Sequence, residues 1–270
     1  MLQAEVSTEY RTVNTAFSTQ SSHFDDDDFC NDILQEWRER IYSHVDTFIK
    51  ADSYILELNA GTGIDAMRFV NQGHHVHATD LSDGMIQKIN KKIEQHSLYN
   101  KLTCQQISFD KINEVKEQFD YVFSNFGGLN CINDLKKVTI HLKSILNKNA
   151  FVTFVIMPSY CPWEMLWLLK GDFKKTLRRW NKKGVVAHLE GFYFNTYYHS
   201  LSKVKKAFDN SFSFVKVESI GVVSPPPSAH SFVNKFPKLT RVLKAIDKRI
   251  GKFPFFNRWG DHIIVTFRFN

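Results

Sequence analysis

Two glycines and two carboxylates mark the part of the chain whose residue types could bind a small molecule. Gly61 and Gly63 follow an apolar run over residues 54–58 and precede a helical pattern. Such a turn lets the backbone bend tightly and approach a ligand closely. Asp80 ends a second short predicted strand (residues 75–80) about 20 residues further on, where a carboxylate can accept hydrogen bonds from both hydroxyls of a ribose.

The residues around the turn restrict the kind of nucleoside ligand that it suits. Ala66 stands where a dinucleotide-binding fingerprint has its third glycine. Glu57, just before the turn, would repel a pyrophosphate. A ligand with a ribose, no phosphate and an ammonium group of its own therefore fits better, and S-adenosylmethionine (SAM) is such a ligand. A nicotinamide-dependent enzyme with a degenerate fingerprint is the alternative.

Three stretches give the chain a resemblance to class I SAM-dependent methyltransferases. Residues 56–63 (LELNAGTG) resemble motif I, residues 78–86 (ATDLSDGMI) resemble motif II with its following helix, and residues 119–127 (FDYVFSNFG) resemble the motif IV strand. The resemblance implies SAM as the cofactor. It also implies an α/β fold, with a Rossmann-like seven-stranded sheet, an antiparallel last strand and helices on both faces.

The resemblance also assigns cofactor contacts. It implies that Glu57 orders the turn and the methionine ammonium, and that Asp80 binds the ribose hydroxyls; an N-cap of the next helix is the alternative for Asp80. Relatives often carry Asp or Glu after the third strand, which we expect over residues 102–107, and here that place falls on Ser108. The remaining contacts are Asn59, Ala60, Gly61, Thr62 and Gly63 along the methionine and ribose, Leu81 and Met85 beside the adenine, Ser108 and Phe109 at its amino group, and Asn125, Phe126 and Gly127 at the methionine end.

Two residues before the core complete the expected cofactor site. In relatives, an N-terminal aromatic residue and a helical arginine close over SAM and pair with its carboxylate. Tyr10 and Arg38 match these roles, because a guanidinium can grip a carboxylate through two bonds. For Arg38, an exposed charge on a helix is the alternative.

Composition and pattern suggest how the 270 residues are organised. We expect a flexible N-terminal arm over residues 1–30 and a single methyltransferase domain over 31–270, with lid insertions at about 158–198 and 225–259. No run of 18 apolar residues occurs, and the N-terminus lacks the apolar region of a signal peptide. The four cysteines are isolated, which favours a reducing cytoplasm and argues against zinc, disulfides or another metal site.

The two insertions determine what we expect of the substrate. They are rich in Trp and Phe, which favours a small apolar or aromatic acceptor methylated on an O, N or C atom. They are also basic, so they could contact an anionic lipid surface or substrate, although a solvated helix face explains the charge equally simply. Enzymes that methylate amino groups of DNA bases carry a D/N-P-P-Y/F tetrad after the motif IV strand. This chain has no such tetrad there, so nucleic-acid base methylation is disfavoured. The alternatives are an RNA or protein methyltransferase using the basic half, and a protein using SAM for non-methyl chemistry; the oligomeric state stays open.

Three histidines are candidates for a general base, which the reaction requires only if the acceptor starts protonated. They are His199, His230 and His262. Asp261 precedes His262 and could orient its imidazole, although adjacent residues on a strand point to opposite faces.

Overall fold

The computed structural model describes residues 2–270, with side chains from Thr8 onward. The helices are α1 (Leu2–Gln20), α2 (Phe24–Phe29), α3 (Asp32–Val45), α4 (Ile64–Asn71), α5 (Asp83–Gln95), α6 (Lys136–Ile145), α7 (Pro162–Met165), α8 (Phe173–Leu177), α9 (Leu201–Ala207), α10 (His230–Lys235) and α11 (Pro237–Ile250). The strands are β1 (Tyr54–Leu58), β2 (His75–Asp80), β3 (Leu102–Gln106), β4 (Phe119–Ser124), β5 (Leu146–Ile156), β6 (Val185–Leu189), β7 (Phe192–Thr196), β8 (Phe212–Ile220) and β9 (His262–Phe269).

Seven strands form one sheet in the order β3-β2-β1-β4-β5-β9-β8. Strands β1 to β5 pair in parallel, whereas β9 is antiparallel to both of its neighbours, β5 and β8. The predicted α/β fold, with its antiparallel last strand, is therefore confirmed. The strand order reverses between β1 and β4, and in such sheets ligands bind where the order reverses, at the carboxyl ends of the strands.

Successive strand residues point to opposite faces of the sheet, and both faces are apolar. Helices therefore cover both faces. On one face Leu56 of β1 and Val122 of β4 join a buried cluster with residues of α6 and α9. On the other face Ile55 and Tyr121 join a second cluster with α3, α4 and α5. Each strand of the central pair is thus apolar on both sides, as expected for a buried parallel strand.

The N-terminal segment differs from the flexible arm that we expected over residues 1–30. It forms α1 and α2, and α1 packs against α5 and the β6–β7 hairpin. Phe17 lies 5.8 Å from Phe194 of β7 between ring centroids. A Cβ on Gly84, at the start of α5, would lie 2.7 Å from Ser18 Cα, so α1 approaches α5 as closely as a glycine allows.

The insertions also differ in detail from their sequence patterns. In the first insertion, Gly171, which has a φ of +72°, separates α7 and its following 3₁₀ turn from α8. In the second, α11 begins at Pro237 directly after α10, because proline begins a helix readily but interrupts one. Strands β6 and β7 form a separate two-stranded sheet. Among the described residues, no helix combines the length and apolarity needed to span a bilayer.

Candidate cofactor and acceptor site

Hydrogen bonds join the glycine turn to the end of β2. The Ala60 amide donates to the Thr79 carbonyl oxygen at 2.9 Å, and the Gly61 amide donates to Asp80 Oδ2 at 2.9 Å. Gly61 and Gly63 have φ values of +56° and +83°, a region in which side chains are strained. The structure thus brings together the turn and the carboxylate that the sequence pattern predicted to share a ligand.

The Asp80 carboxylate is not the N-cap of α5. Its Oδ1 accepts a hydrogen bond from the Ser82 amide at 2.8 Å, whereas Ser82 itself caps the helix by accepting one from the Met85 amide. Burial raises the pKa of Asp80 to about 6, although the Ser82 and Gly61 amides oppose the shift. The residue remains partly exposed, as a residue that contacts a ligand must be.

Glu57 of β1, just before the glycine turn, has a carboxylate oxygen without a hydrogen-bond partner among the described residues. This oxygen is Oε2, and the residue is buried. Burial, reinforced by the negative charge of Asp65, raises the pKa of Glu57 well above its usual range. An orphaned carboxylate oxygen favours a nearby cation. The residues at this end of the site therefore fit a ligand that carries an ammonium group, as SAM does.

The segment after β4 lies directly against the glycine turn. Asn59 Nδ2 donates to the Asn125 carbonyl oxygen at 2.9 Å, and Ser124 Oγ donates to Asn59 Oδ1 at 2.5 Å. A Cβ on Gly128 would lie 2.3 Å from the Asn59 side chain. Gly127, with a φ of +72°, completes a close backbone approach between the two loops. Motifs I and IV therefore form one continuous surface.

Arg38 lies in a buried ion network, which corrects our expectation that it pairs with a cofactor carboxylate. Its Nη2 bonds Asp28 Oδ1 at 2.5 Å, and its Nη1 bonds Asp65 Oδ1. Asp65 also accepts hydrogen bonds from Tyr42 and from Asn125 Nδ2. A buried guanidinium requires paired charge, and these two carboxylates take both of its terminal nitrogens. The alternative of an exposed helix charge is also wrong, because Arg38 is buried.

Sequence reasoning missed how α2 covers the glycine turn. The Phe24 ring lies 3.6 Å from the position of a Cβ on Gly61, and Asp25 accepts a hydrogen bond from the Thr62 hydroxyl. Asp25 also pairs with Lys92 of α5 at 2.7 Å. The available signal was the run of four aspartates from 25 to 28, since several adjacent carboxylates need partners when they fold against a core.

Two residues of the predicted cofactor site, Ser108 and Tyr10, interact with Asp110, which the sequence analysis did not assign to the site. Ser108 Oγ donates to Asp110 Oδ1 at 2.5 Å. Burial, together with the charge of Asp110 and a hydrogen bond to it, raises the pKa of Tyr10 to about 12. Tyr10 and Ser108 thus meet at Asp110. Of the other three residues assigned to the adenine, Leu81 is half-buried, Met85 is buried and Phe109 packs against the core.

Two of the three candidate histidines lie apart from the cofactor residues. His199 is fully buried, with Nε2 2.9 Å from the Ile132 carbonyl oxygen, and burial lowers the pKa of His199 to about 4. His230 is exposed, and its Nε2 lies 3.4 Å from Asn31 Nδ2. Among the described residues, neither imidazole packs against the Phe126 ring that follows β4.

His262 does lie beside that segment. Its ring packs edge-on against Phe126, with centroids 5.8 Å apart and planes at 86°, and against Trp37 of α3 at the same centroid distance. The Arg38 guanidinium covers Phe126, 4.9 Å from its ring centroid. His262 Nδ1 lies 2.9 Å from Asp261 Oδ2, although the ring is not angled for a hydrogen bond.

A buried ion network anchors the residue before His262. Arg179 Nη2 bonds Asp261 Oδ1 at 2.6 Å, and Arg179 Nε bonds Glu164 Oε1 at 2.8 Å. Arg178 also bonds Glu164, through two nitrogens. Burial opposes ionisation of Asp261, but Arg179 outweighs it and holds the pKa of this carboxyl below its usual range. Cys161 lies within 4.8 Å of the two carboxylates, which the arginines already neutralise.

Comparison with known proteins agrees with this geometry. Residues 55–149 match the family model described as a methyltransferase domain. No curated protein sequence matches the chain significantly.

Solved structures show the same fold at low sequence identity. A SAM-dependent methyltransferase from Clostridium acetobutylicum superposes with a TM-score of 0.58 at 14% identity, over 93% of this chain and 98% of that one. The CcbJ methyltransferase from Streptomyces caelestis gives 0.57 at 14% identity, over 85% and 88%. Geranyl diphosphate C-methyltransferase from Streptomyces coelicolor gives 0.55 at 11% identity, over 86% and 80%.

The family match begins in β1 and ends in β5, so it covers the strands that carry the glycine turn, Asp80 and the segment after β4. Residues 55–149 are therefore similar to a methyltransferase domain, and the chain as a whole has the fold of solved SAM-dependent methyltransferases.

Proposed function

We propose that the chain transfers a methyl group from SAM to an O, N or C atom of a small apolar or aromatic metabolite. The observation that carries the proposal is the position of His262 between Phe126 and Trp37. An imidazole enclosed by aromatic rings, next to the segment that follows motif IV, suits an apolar acceptor with a proton to lose.

The cofactor residues in this proposal are those that the structure assembles around the glycine turn. Glu57 would hold the ammonium group and Asp80 the ribose hydroxyls, while Asn125, Phe126 and Gly127 would line the methionine end. When bound, SAM supplies a methyl group on a sulfonium, which is already a good leaving group. The protein then needs mainly to align the acceptor and to exclude water.

His262 would accept the proton of an acceptor hydroxyl, phenol or amine. Asp261 lies 2.9 Å from its Nδ1 and would stabilise the imidazolium that forms. Arg179 bonds Asp261, and Glu164 in turn bonds Arg179. Both would therefore act as positioning residues for Asp261. An acceptor that arrives deprotonated, or one methylated at a basic nitrogen, would need no such base.

Contacts between the two insertions support a lid over residues 158–198 and 225–259. Trp163 packs against Phe232 with centroids 5.2 Å apart, and Tyr160 packs against Trp259 at 4.9 Å. A cavity of about 470 Å³ opens beside the second pair, a volume that suits a small molecule. Its basic lining residues, Lys205, Lys206 and Arg258, would favour an acceptor with an anionic group. Geranyl diphosphate, the substrate that names one of the structural neighbours, is such a molecule.

An isotope experiment tests the proposal and needs no assumption about which metabolite is the acceptor. The enzyme is incubated with SAM bearing a deuterated methyl group and with a metabolite extract, and mass spectrometry identifies the labelled products. We expect the label in small molecules. Label confined to RNA or protein, or SAM consumed without any methylated product, would contradict the proposal and support the alternative classes.

Two variants then test the role of His262. We expect His262→Asn to lower the rate of methyl transfer by at least about 100-fold, the usual contribution of a general base, with unchanged SAM affinity. His230→Asn is the matched control, because His230 is exposed and its side chain lies against Asn31. Equal rates for both variants would remove His262 from the mechanism.

A further inference from the structure

Helix α11 is fixed in orientation by a buried aspartate. Asp247 accepts hydrogen bonds from the amides of Gly221 and Val223 at 3.1 and 2.8 Å, and it pairs with Arg40 Nη1 at 2.6 Å. On the same helix Lys244 pairs with Glu36 of α3 at 2.5 Å. These contacts define one face of α11 as the inner face and leave the opposite face to solvent.

The outer face of α11 carries an apolar stripe. Leu239, Val242 and Ile246 are spaced by three and four residues, so they lie on one side of the helix. Their exposed fractions lie between 43 and 54%. A stripe of this kind is unusual on a helix that faces only water.

The loop after α11 extends the apolar surface. Phe253, Phe255 and Phe256 are between 40 and 57% exposed. Phe255 has a φ of +84°, a conformation in which a bulky residue is strained. Its ring packs against Trp259 with centroids 4.3 Å apart, so the strained loop has a defined shape. We call these three residues and the stripe the α11 apolar surface.

The chain segment that carries the α11 apolar surface is strongly basic, although Glu36 of α3 pairs with one of its lysines, Lys244. From residue 235 to 259, a stretch that the structure describes throughout, the chain has eight basic residues and one acidic residue. The single acid is Asp247, whose side chain is fully buried. The surface that solvent meets in this stretch is therefore apolar and cationic, the combination found in helices that lie at the interface of anionic membranes.

We infer that the α11 apolar surface docks on a bilayer that contains anionic lipids. The phenyl rings and the stripe would enter the boundary between headgroups and acyl chains, and the surrounding lysines and arginines would contact lipid phosphates. A second copy of this chain is a poorer occupant, because the same cations would then face each other. Membrane docking goes beyond the proposed function and does not depend on the identity of the acceptor.

Vesicle cosedimentation with the full chain tests this inference. The vesicles contain phosphatidylcholine alone, or phosphatidylcholine mixed with phosphatidylserine. We expect binding to the mixed vesicles only, weakened by added salt. Phe253→Ser/Phe256→Ser should reduce the affinity by at least about tenfold, because two exposed aromatic side chains that would enter the bilayer are lost.

The control variant is Ile140→Ser, which removes an apolar side chain that is similarly exposed but lies on α6. It should bind the mixed vesicles as the wild type does, and SAM binding should be unchanged in all variants. Failure of the wild type to bind the mixed vesicles would overturn the inference. So would equal binding by the phenylalanine and control variants, or a concentration-dependent dimer that the phenylalanine substitutions abolish.

Discussion

The Gly61 amide donates a hydrogen bond of 2.9 Å to Asp80 Oδ2, so the carboxylate that we propose binds a ribose also fixes the glycine turn. The second oxygen of Asp80 accepts a hydrogen bond from the Ser82 amide. Each oxygen retains a further lone pair, because a carboxylate offers about four acceptor sites. Asp80 can therefore hold the turn and still accept hydrogen bonds from a ligand.

Removal of the Asp80 carboxylate should weaken SAM binding. We expect Asp80→Ala to reduce the affinity for SAM by at least about tenfold, since each hydrogen bond to a charged group contributes about 1.5–3 kcal/mol. Titration calorimetry measures the effect, and circular dichroism checks that the fold is intact. An unchanged affinity would restrict Asp80 to holding the turn.

The raised pKa of Asp80, about 6, also predicts how SAM binding depends on pH. Below this value the carboxyl group is protonated, so it loses acceptor capacity and gains a donor of its own. The affinity for SAM should therefore fall as the pH is lowered from about 7.5 through 6. Asp80→Ala should show a smaller dependence, and parallel curves for the two proteins would assign the titration to another group.

Glu57 is a second carboxylate whose substitution separates stability from binding. Its Oε2 is buried without a partner among the described residues and lies in the field of Asp65. Glu57→Gln replaces the buried ionisable carboxyl by a neutral amide with little change in shape, so the free energy of unfolding of the protein without ligand should rise by about 1 kcal/mol or more. The increase in melting temperature on addition of SAM should become smaller. A less stable variant with unchanged SAM binding would contradict both roles.

Arg38 should contribute to stability through its two buried carboxylate partners. Arg38→Met leaves Asp28 and Asp65 uncompensated, so urea denaturation should show a loss of about 3–5 kcal/mol. The control is Arg68→Met, because Arg68 pairs with Asp46 near the surface and should cost at most about 1 kcal/mol. Adding Asp65→Asn to Arg38→Met should restore part of the loss; an additive further loss would show that the charges do not interact.

The buried His199 should make the free energy of unfolding depend on pH. Its pKa falls from 6.5 to about 4 in the folded state because the ring is buried, so the unfolded chain binds the proton more tightly. The free energy of unfolding therefore rises with pH between about 4 and 6.5, by about 3 kcal/mol from this group. His199→Gln should lack this part of the rise while keeping a donor for the Ile132 carbonyl oxygen. Identical pH profiles would show that the ring is not held neutral by burial.

The fold was largely predictable because the cofactor half has strong local signals. Residues 54–58 form β1 within the predicted limits, since a run of buried apolar residues ends at a glycine turn. The short strand predicted from residue 75 likewise corresponds to β2, which ends at Asp80. Parallel strands buried on both faces are nearly continuous apolar segments, and this pattern is visible in the sequence itself.

The parts that were mispredicted depend on contacts between distant residues. The aspartates at 25–28 form a charged run in isolation, and only their partners Arg38, Thr62 and Lys92 make α2 part of the site. The same holds for Arg38, whose carboxylate partners Asp28 and Asp65 lie 10 and 27 residues away. No periodicity in the sequence indicates pairings over such separations.

The position of β9 in the sheet has a consequence for how the chain folds during synthesis. Strand β9 lies between β5 and β8, so β8, which the ribosome makes earlier, has no neighbour until residues 262–269 emerge. The edges of β5 and β8 that pair with β9 stay unpaired until then, and exposed strand edges promote aggregation. The nascent protein can form β1 to β5 before its imidazole at position 262 exists. The strands that carry the glycine turn and Asp80 can thus form before the strand that carries His262 is synthesised.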